Sequence, residues 1–218
     1  LAAENVDAVI AGASGNLDRH IRNMAGFGMP VVVSINRFST DTDAELAALE
    51  DAARASGATS VQLCEVHANG GAGGEELAKA VVSAVHDHVA AGRPFTPLFM
   101  PNAGIREKIA SIATRIYKAE GVKIDASAEK QLALIEKWGY GELPVCMAKT
   151  QYSFSHDPNL LGSPSGFTVP IKEFRLNAGA GFVVAICGNM MTMPGLPKRP
   201  AALDMDMDEN GNLIGVFG

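Results

Sequence analysis

Polar and aromatic side chains that could bind a ligand follow the apolar runs of this sequence. The run 31–35 ends in Asn36, Arg37 and Phe38, which place an amide, a cation and an aromatic ring side by side. In open α/β sheets, ligands bind at the carboxyl ends of the strands. The pattern therefore predicts a binding loop at 36–38. An ordinary connection between a strand and a helix is the alternative that stays open.

A second loop of the same kind follows the apolar run 60–64. It begins at Glu65, contains His67 and Asn69, and continues through a glycine-rich run to Gly74. Glycines before a helix let backbone N–H groups approach an anion, which the positive end of the helix dipole attracts. A tight turn without a ligand is the alternative. Position favours the binding interpretation, because two adjacent strand-to-helix loops would frame one crevice.

Further polar groups stand at later strand ends, at 149–152 and at Asn177, while several familiar sites are missing from the sequence. Lys149 is either a ligand-binding cation or a solvated surface cation. No G-x-x-x-x-G-K-[ST] run occurs, so this sequence carries no phosphate-binding P-loop of its own. His86 and His88 lie two apart on a predicted helix and point in different directions. No metal site is predicted.

Composition and charge limit the class of protein. Of the 218 residues, 47% are hydrophobic and 19% are charged, which is typical of a folded chain. The net charge of −6 argues against nucleic acid as a partner, and no apolar run approaches the roughly 20 residues that cross a bilayer. The three cysteines are interpreted as buried free thiols in a reducing, cytoplasmic compartment. The chain begins at Leu1 without a secretory signal, and we expect it to be part of a longer polypeptide.

Alternating helical and strand patterns predict an α/β fold. The strand at 31–35, a helix at about 43–56 that opens with the capping signature Thr42-x-x-Glu45, and a strand at 60–64 form a β-α-β unit with a right-handed crossover. Pro170 indicates that the strand at 167–172 lies at a sheet edge or carries a bulge. Near the start of the chain, an apolar patch at 8–11 and a Gly/Ser turn precede a predicted helix at about 14–27. Further helices are predicted after Gly74, from residue 105 to Gly121, and at 127–138. Strands are predicted at 143–147 and 181–187, and a hairpin is predicted to turn at Asn210-Gly211.

Several longer runs of unusual chemistry occur between Asn16 and the end of the chain. They are Asn16-Leu-Asp-Arg-His-Ile, Pro30-Val-Val-Val-Ser-Ile-Asn-Arg-Phe-Ser-Thr-Asp-Thr, Ala148-Lys-Thr-Gln-Tyr-Ser, Pro164-Ser-Gly-Phe, Ala178-Gly-Ala-Gly-Phe and Met193-Pro-Gly-Leu-Pro-Lys. Together they resemble formate–tetrahydrofolate ligase (10-formyltetrahydrofolate synthetase) over nearly the whole chain. The resemblance implies a partial P-loop-NTPase-like parallel sheet at 1–92, its closing β-α-β portion, followed by a smaller α/β domain at 93–218.

The resemblance also implies an ATP-dependent ligase of one-carbon metabolism. Formate attacks the γ-phosphate of Mg²⁺-bound ATP to give formyl phosphate, and N10 of tetrahydrofolate then takes the formyl group. The family's P-loop, and with it the expected catalytic residues, belongs to a preceding N-terminal region, so we expect this chain alone to be inactive. The complete enzyme is expected to be a homo-oligomer without a covalently bound cofactor and without a nucleic-acid or membrane partner.

The candidate site residues follow from matching the family's motifs to this sequence. In the family the Phe of Asn-Arg-Phe stacks on the pterin ring, which places Phe38 in that role beside Asn36 and Arg37. The opposite wall is usually a Trp, and His67 stands at that position here. Loops that resemble those near the nucleotide carry Lys149, Ser165, Gly166, Pro194 and Leu196. The chain is thus expected to be the folate-binding and nucleotide-covering part of the ligase; a non-catalytic folate-binding or assembly module that pairs with a P-loop-bearing subunit stays open.

Overall fold

A computed structural model describes residues 3–189, 198–211 and 213–215 of the chain. The chain divides into two compact units, Leu1–Gly188 and Asn189–Gly218. In the first unit, helices alternate with strands that pair mostly in parallel, which confirms the predicted α/β class. The proposed division into domains near residue 92 stays a prediction.

The predicted β-α-β unit is present with nearly the predicted bounds. Strand β1 (Val32–Asn36) and strand β2 (Ser60–Cys64) pair in parallel from Val32 opposite Ser60 to Asn36 opposite Cys64. The helix between them spans Asp43–Ala55 and begins with a complete capping box between Thr42 and Glu45. The unit is held together by a small core that contains Ile21, Ile35, Ala53 and Val61.

The chain before β1 is helical from Val6 to Ala25, so the helix predicted at about 14–27 is confirmed, whereas its extension back over the apolar patch at 8–11 was not predicted. Helix α1 (Val6–Gly12) continues through a π-helical turn (Ala13–Leu17) into helix α2 (Asp18–Ala25). The predicted Gly/Ser turn is therefore wrong, since Gly12 has helical dihedral angles of φ −65° and ψ −42°. Contacts between this segment and the helix Asp43–Ala55, named α3, stabilise the helical form. Tertiary packing here outweighs the low helix propensity of glycine.

Helices also occupy the segment that follows β2. A single helical turn, α4 (Val66–Asn69), leads through a 3₁₀ turn (Gly70–Gly74) into the long helix α5 (Glu75–Ala90). Helix α5 packs on β1 and β2, with Ala84 and His88 buried. Its valines at positions 82, 85 and 89 are 55–70% exposed, so its apolar stripe faces outward.

A four-stranded mixed sheet forms the rest of the first unit. Its elements are α6 (Ile105–Ser111) with a π-helical turn (Ile112–Ile116), β3 (Gly121–Ile124), α7 (Ala126–Lys137), β4 (Val145–Ala148), β5 (Thr168–Asn177) and β6 (Phe182–Cys187). The strand order is β3-β5-β6-β4, with β3 parallel to β5, β4 parallel to β6, and β5 antiparallel to β6. The sequence did not predict β3, whose four residues are too few to show a strand pattern, and the helix that was predicted to end at Gly121 ends at Ile116. Ile105, Leu132, Val169 and Val183 are among the fully buried residues of this unit's larger core.

Pro170 occupies the central strand β5, so the edge position that was one of its two predicted explanations is wrong. The other explanation is confirmed, because the register between β5 and β6 shifts between Ile171 and Glu173. Pro170 lies opposite Lys123 of β3 and just outside the ladder that begins at Ile171 and Cys187. A proline is tolerated where its missing N–H is not needed by a neighbouring strand.

The three cysteines have free thiols, as predicted, but they are not all buried. Cys187 is buried in β6, Cys64 is half-buried at the end of β2, and Cys146 is exposed on β4. The prediction was wrong for Cys146 because β4 is an edge strand, and alternate side chains of such a strand point out of the core.

In the second unit, the described residues form a 3₁₀ turn and a short hairpin. The turn spans Ala201–Leu203, and β7 (Asp206–Met207) pairs antiparallel with β8 (Leu213–Ile214). The predicted turn at Asn210-Gly211 is present, and Gly211 adopts φ +82°, a conformation that glycine reaches without strain. Over the described part of the chain, no helix is long and apolar enough to cross a membrane.

Candidate functional site

The loops that follow β1 and β2 lie side by side, as the sequence predicted. Asn36 ends β1 opposite Cys64, and the Arg37 backbone N–H donates to the Cys64 carbonyl oxygen at 3.2 Å. The Arg37 side chain then forms an ion pair with Glu65, with 3.6 Å between Nη1 and Oε1. Its second guanidinium nitrogen, Nη2, donates to Asp43 Oδ1 at 3.3 Å. Arg37 therefore connects both loops with the start of α3.

Phe38 is held at the surface by a short turn. Its backbone N–H donates to Asp41 Oδ2 at 2.8 Å, and its carbonyl oxygen accepts from the Asp41 N–H at 3.1 Å. The side chain is 69% exposed, more than that of any other described phenylalanine. Within the described residues the Phe38 ring has no aromatic partner. One or both of its faces are available for a flat ligand.

His67 lies on α4, and the glycines after it serve the packing of the loop on itself. The Glu65 N–H donates to the Gly73 carbonyl oxygen at 3.0 Å. A Cβ atom at Gly73 would lie 2.4 Å from the Glu65 carbonyl oxygen, and one at Gly74 would lie 2.9 Å from Val66 Cγ1. These two glycines are required for close approach of the backbone, so the tight-turn interpretation accounts for them. His67 itself is exposed.

A cavity of about 330 Å³ lies beside Asn36, between α1, β1 and α3. Val9, Val33 and Leu46 contribute apolar walls, while Asn36 and Glu45 contribute polar groups at its rim. The backbone N–H groups of Asn5 and Thr42 both donate to the Glu45 carboxylate, at 2.8 Å and 3.2 Å, and hold the pKa of Glu45 below its usual value. Among the predicted pterin residues only Asn36 lines this cavity.

Lys149 lies in a second cavity, of about 250 Å³, where it is partly buried. Its Nζ donates to the Thr150 carbonyl oxygen at 3.0 Å and to the Ser153 carbonyl oxygen, and stands 5.1 Å from the centre of the Tyr117 ring. Burial lowers the pKa of the Lys149 amine. Burial also raises the pKa of Tyr117 to about 12. Lys149 is thus held in place rather than free in solvent.

The same cavity brings together two sequence runs that are far apart in the chain. Asn16 and His20 line it from the helical segment near the start, and residues 149–154 line it from the loop after β4. The His20 and Phe154 rings are 4.8 Å apart, and the Arg19 guanidinium lies 5.6 Å from the centre of the Phe154 ring. Sequence reasoning did not identify Asn16 and His20 as site residues, although the run 16–21 had been noted for its unusual chemistry.

The remaining candidate residues contribute less to these two cavities. Ser165 and Gly166 are exposed and line neither, and Gly166 adopts φ +74°. Pro194 and Leu196 lie outside the described residues. Across 3–189, 198–211 and 213–215, no group of three or more His, Cys, Asp or Glu side chains could hold a metal ion. What this arrangement offers is binding: an exposed aromatic face, an arginine that connects two loops, and a partly buried lysine.

Comparison with known proteins identifies the family. The family model described as formate–tetrahydrofolate ligase matches residues 1–217. The chain is 52% identical over 217 residues to the formate–tetrahydrofolate ligase of Paracoccus denitrificans (strain Pd 1222), and 50% identical over 217 residues to that of Methylorubrum populi. It is also 50% identical over 219 residues to that of Methylobacterium nodulans.

Each of these alignments covers 100% of the chain and 38% of the relative. The chain therefore spans less than half the length of the curated relatives that it matches. A family model that matches essentially every residue, together with identity near one half, settles the assignment that the motifs indicated. The chain belongs to the formate–tetrahydrofolate ligase family.

Proposed function

We propose that this chain is the folate-binding and nucleotide-covering part of a formate–tetrahydrofolate ligase. In the complete enzyme, an oxygen of formate attacks the γ-phosphorus of Mg²⁺-bound ATP, ADP leaves, and formyl phosphate forms. N10 of tetrahydrofolate then attacks the formyl carbon, phosphate leaves, and N10 loses its proton. Chemistry of this kind depends on positioning and on stabilising charge.

The observation that carries the proposal is the exposed Phe38 ring at the carboxyl end of β1. Its position is fixed by the two hydrogen bonds with Asp41 and by the attachment of Arg37 to Glu65 and Asp43. A rigid aromatic face loses little conformational entropy when a flat ring stacks on it. The pterin ring of tetrahydrofolate is such a ligand, and His67 is proposed for the opposite side of that ring.

The proposal assigns the Lys149 cavity to the nucleotide, which it would cover rather than activate. A partly buried cation in a cavity that the aromatic residues Tyr117 and Phe154 also line suits an anionic ligand that carries a planar base. Phosphoryl activation would come from the family's P-loop, a motif that this sequence does not contain. On this proposal the 218-residue chain binds ligands and does not turn them over.

Calorimetric titration of the purified chain with tetrahydrofolate, under anaerobic conditions, tests the pterin assignment. Phe38→Ala is expected to weaken binding about fivefold, since stacking contributes about 1 kcal/mol. Trp138→Ala is the matched control, because Trp138 is also an exposed aromatic, 59% accessible, at the end of α7. It is expected to leave the affinity unchanged. Equal affinity of the Phe38→Ala variant and the unmodified chain would contradict the proposal, as would the absence of any binding.

Titration of a His67→Trp variant with tetrahydrofolate tests the proposed role of His67. Tryptophan offers a larger ring than histidine, so the variant is expected to bind tetrahydrofolate more tightly. Weaker binding would contradict the placement of His67 opposite the pterin. Addition of ATP, Mg²⁺ and formate to the chain with tetrahydrofolate is expected to yield no formylated product. Product formation would refute the claim that the rest of the family's length is indispensable.

A non-catalytic module that pairs with a P-loop-bearing subunit is the second candidate, and the valine stripe on α5 favours it. Val82, Val85 and Val89 are 68%, 55% and 70% exposed and follow one another along the helix. An apolar stripe of this kind is typical of a surface that another protein surface covers. Co-elution with a full-length family member, lost on Val85→Lys but retained on Ser83→Lys, which changes an exposed residue on a different face of the same helix, would favour this candidate over the first.

A further inference from the structure

A third cavity, of about 250 Å³, lies between α2 and the segment that follows α6, and its lining is strongly basic. Four cationic side chains contribute to it: Arg19, Arg22, Arg115 and Lys118. No carboxylate lines it. The cavity contains none of the residues assigned above to the pterin or to the nucleotide.

Part of this basic character has a structural explanation. Arg19 Nη1 donates to the Tyr117 carbonyl oxygen at 3.3 Å, and Asn23 Nδ2 donates to the Ile116 carbonyl oxygen at 3.2 Å. These are terminal carbonyl groups of the helical segment 105–116, which need donors. Arg115 Nη1 donates to the Leu98 carbonyl oxygen at 2.5 Å. Arg19 and Arg115 each use one of their five N–H donors in this way, and the other donors remain available to a ligand.

The side chains that line this cavity carry a net positive charge. Arg22 is neutralised by Asp18, whose two carboxylate oxygens lie 2.8 Å and 2.9 Å from Nε. Arg19, Arg115 and Lys118 form no ion pair with any described residue. The partial negative charge of the two helix C-termini at this place offsets only part of three full positive charges.

Lys118 is in an unusual backbone conformation. Its φ of +59° is the only positive φ among the described residues that are not glycine. A side chain with a Cβ atom is strained there, and strained residues of this kind concentrate at binding sites. The conformation places Lys118 on the cavity wall together with Arg115.

Phe27 and Leu98, which also line the cavity, are held in place by further contacts. The Phe27 and Phe95 rings stack with 5.7 Å between centroids and 3° between planes, and the Thr96 N–H donates to the Phe27 carbonyl oxygen at 2.8 Å. These contacts fix the chain leading to Leu98, whose carbonyl oxygen in turn holds Arg115. A site with walls fixed in advance loses less entropy when it binds a ligand.

We propose that this cavity binds a small anion that carries at least two negative charges. Guanidinium and ammonium donors recognise phosphate and carboxylate oxygens alike, so both chemistries fit. Pyrophosphate and citrate represent the two chemistries at a size that a cavity of about 250 Å³ can hold. The attraction is electrostatic and therefore weakens as salt is added.

Calorimetric titration of the chain with sodium pyrophosphate and, separately, with sodium citrate at low ionic strength tests the proposal. Binding of one or both is expected, and the stronger of the two identifies the chemistry that the site prefers. Removing one positive charge at about 6 Å from a ligand with two negative charges is expected to weaken binding about tenfold. Lys118→Gln and Arg115→Gln should each have this effect. The same titration at tenfold higher salt should give a several-fold loss of affinity.

Lys123→Gln is the matched control, because Lys123 is an exposed lysine on β3 that lies outside the cavity. It is expected to leave both affinities unchanged. Thermal unfolding of each variant checks that the fold is intact. Absence of binding by either anion would overturn the proposal, and so would an equal loss in the Lys118→Gln and Lys123→Gln variants. Lys118→Gln is expected to leave tetrahydrofolate binding unchanged, so this proposal and the pterin assignment fail independently.

Discussion

The buried side chain of Lys108 provides a test of which contacts stabilise the first unit. It lies on α6 and is only 2% exposed. Its Nζ donates to the carbonyl oxygens of Pro101 at 3.0 Å, Glu142 at 2.5 Å and Leu143 at 3.4 Å, and it stands 5.9 Å from the centre of the Phe99 ring. One buried ammonium group thus connects the segment before α6 with the segment before β4.

Replacement of Lys108 by methionine keeps most of the side-chain volume and removes all three donors. Hydrogen bonds from a charged group contribute about 1.5–3 kcal/mol each, and the bond at 3.4 Å is the weakest of the three. The variant no longer has to bury an ammonium ion, which returns several kcal/mol. The free energy of unfolding is therefore expected to fall by about 2–4 kcal/mol. For a unit of this size that corresponds to about 5–15 °C in the midpoint of thermal unfolding.

Urea unfolding followed by far-ultraviolet circular dichroism measures this loss directly. The single tryptophan, Trp138, provides a fluorescence probe in the same unit. Lys130→Met on α7 is the matched control, because Lys130 is exposed and forms no hydrogen bond or ion pair among the described residues; its effect is expected to stay within about 0.5 kcal/mol. A Lys108→Met variant as stable as this control would refute the reasoning, since the three carbonyl groups would then not depend on the ammonium ion.

Two further predictions concern buried ionisable groups of the same unit. Burial raises the pKa of Tyr117 to about 12, so the folded state favours the neutral phenol more than the unfolded state does. The contribution of this group to the free energy of unfolding is therefore fully present below pH 10, and it is expected to fall by about 3 kcal/mol as the pH rises through 12. The fall should be smaller in Tyr117→Phe, and an unchanged pH dependence in that variant would contradict the assignment. Burial also raises the pKa of Cys187 to about 12, so this thiol should react with an aromatic disulfide reagent only after unfolding, whereas the exposed Cys146 should react in the native protein. Equal reaction rates of the two thiols, measured with Cys146→Ser and Cys187→Ser variants, would contradict this.

The β-α-β unit could be predicted from sequence because every signal for it is local. A short apolar run predicts β1, the Thr42-x-x-Glu45 signature marks the start of α3, and Gly57 with φ +103° follows its end. Strand β2 has the predicted bounds, 60–64. Local patterns of this kind specify the element and its ends, and the parallel pairing then follows from the length of the connection.

The features that could not be predicted depend on contacts between distant parts of the chain. Gly12 and Gly15 are helical because their segment packs on α3. Lys108 is buried because three carbonyl groups from outside α6 surround its ammonium group, whereas the helical pattern alone places a lysine in solvent. The outward stripe of valines on α5 has the same origin, since the side of the helix that packs on β1 and β2 carries small residues such as Ala84.

The candidate site also has one part that local sequence patterns predict and one part that depends on contacts between distant segments. The loops after β1 and β2 were predicted to meet, because the ends of adjacent parallel strands must lie at one edge of a sheet, and the Arg37–Glu65 ion pair lies at that edge. Nothing in the local pattern of Asn16 and His20 indicates that they line one cavity with Lys149, because more than a hundred residues separate the two runs. Their position depends on the packing of α2 against the end of the helical segment 105–116, where Asn23 and Arg19 donate to the carbonyl oxygens of Ile116 and Tyr117. Arg19, Asn23 and Ile116 also line the basic cavity, and Tyr117 lines the cavity that contains Lys149. One interface between helices therefore positions both the Lys149 cavity and the proposed anion site.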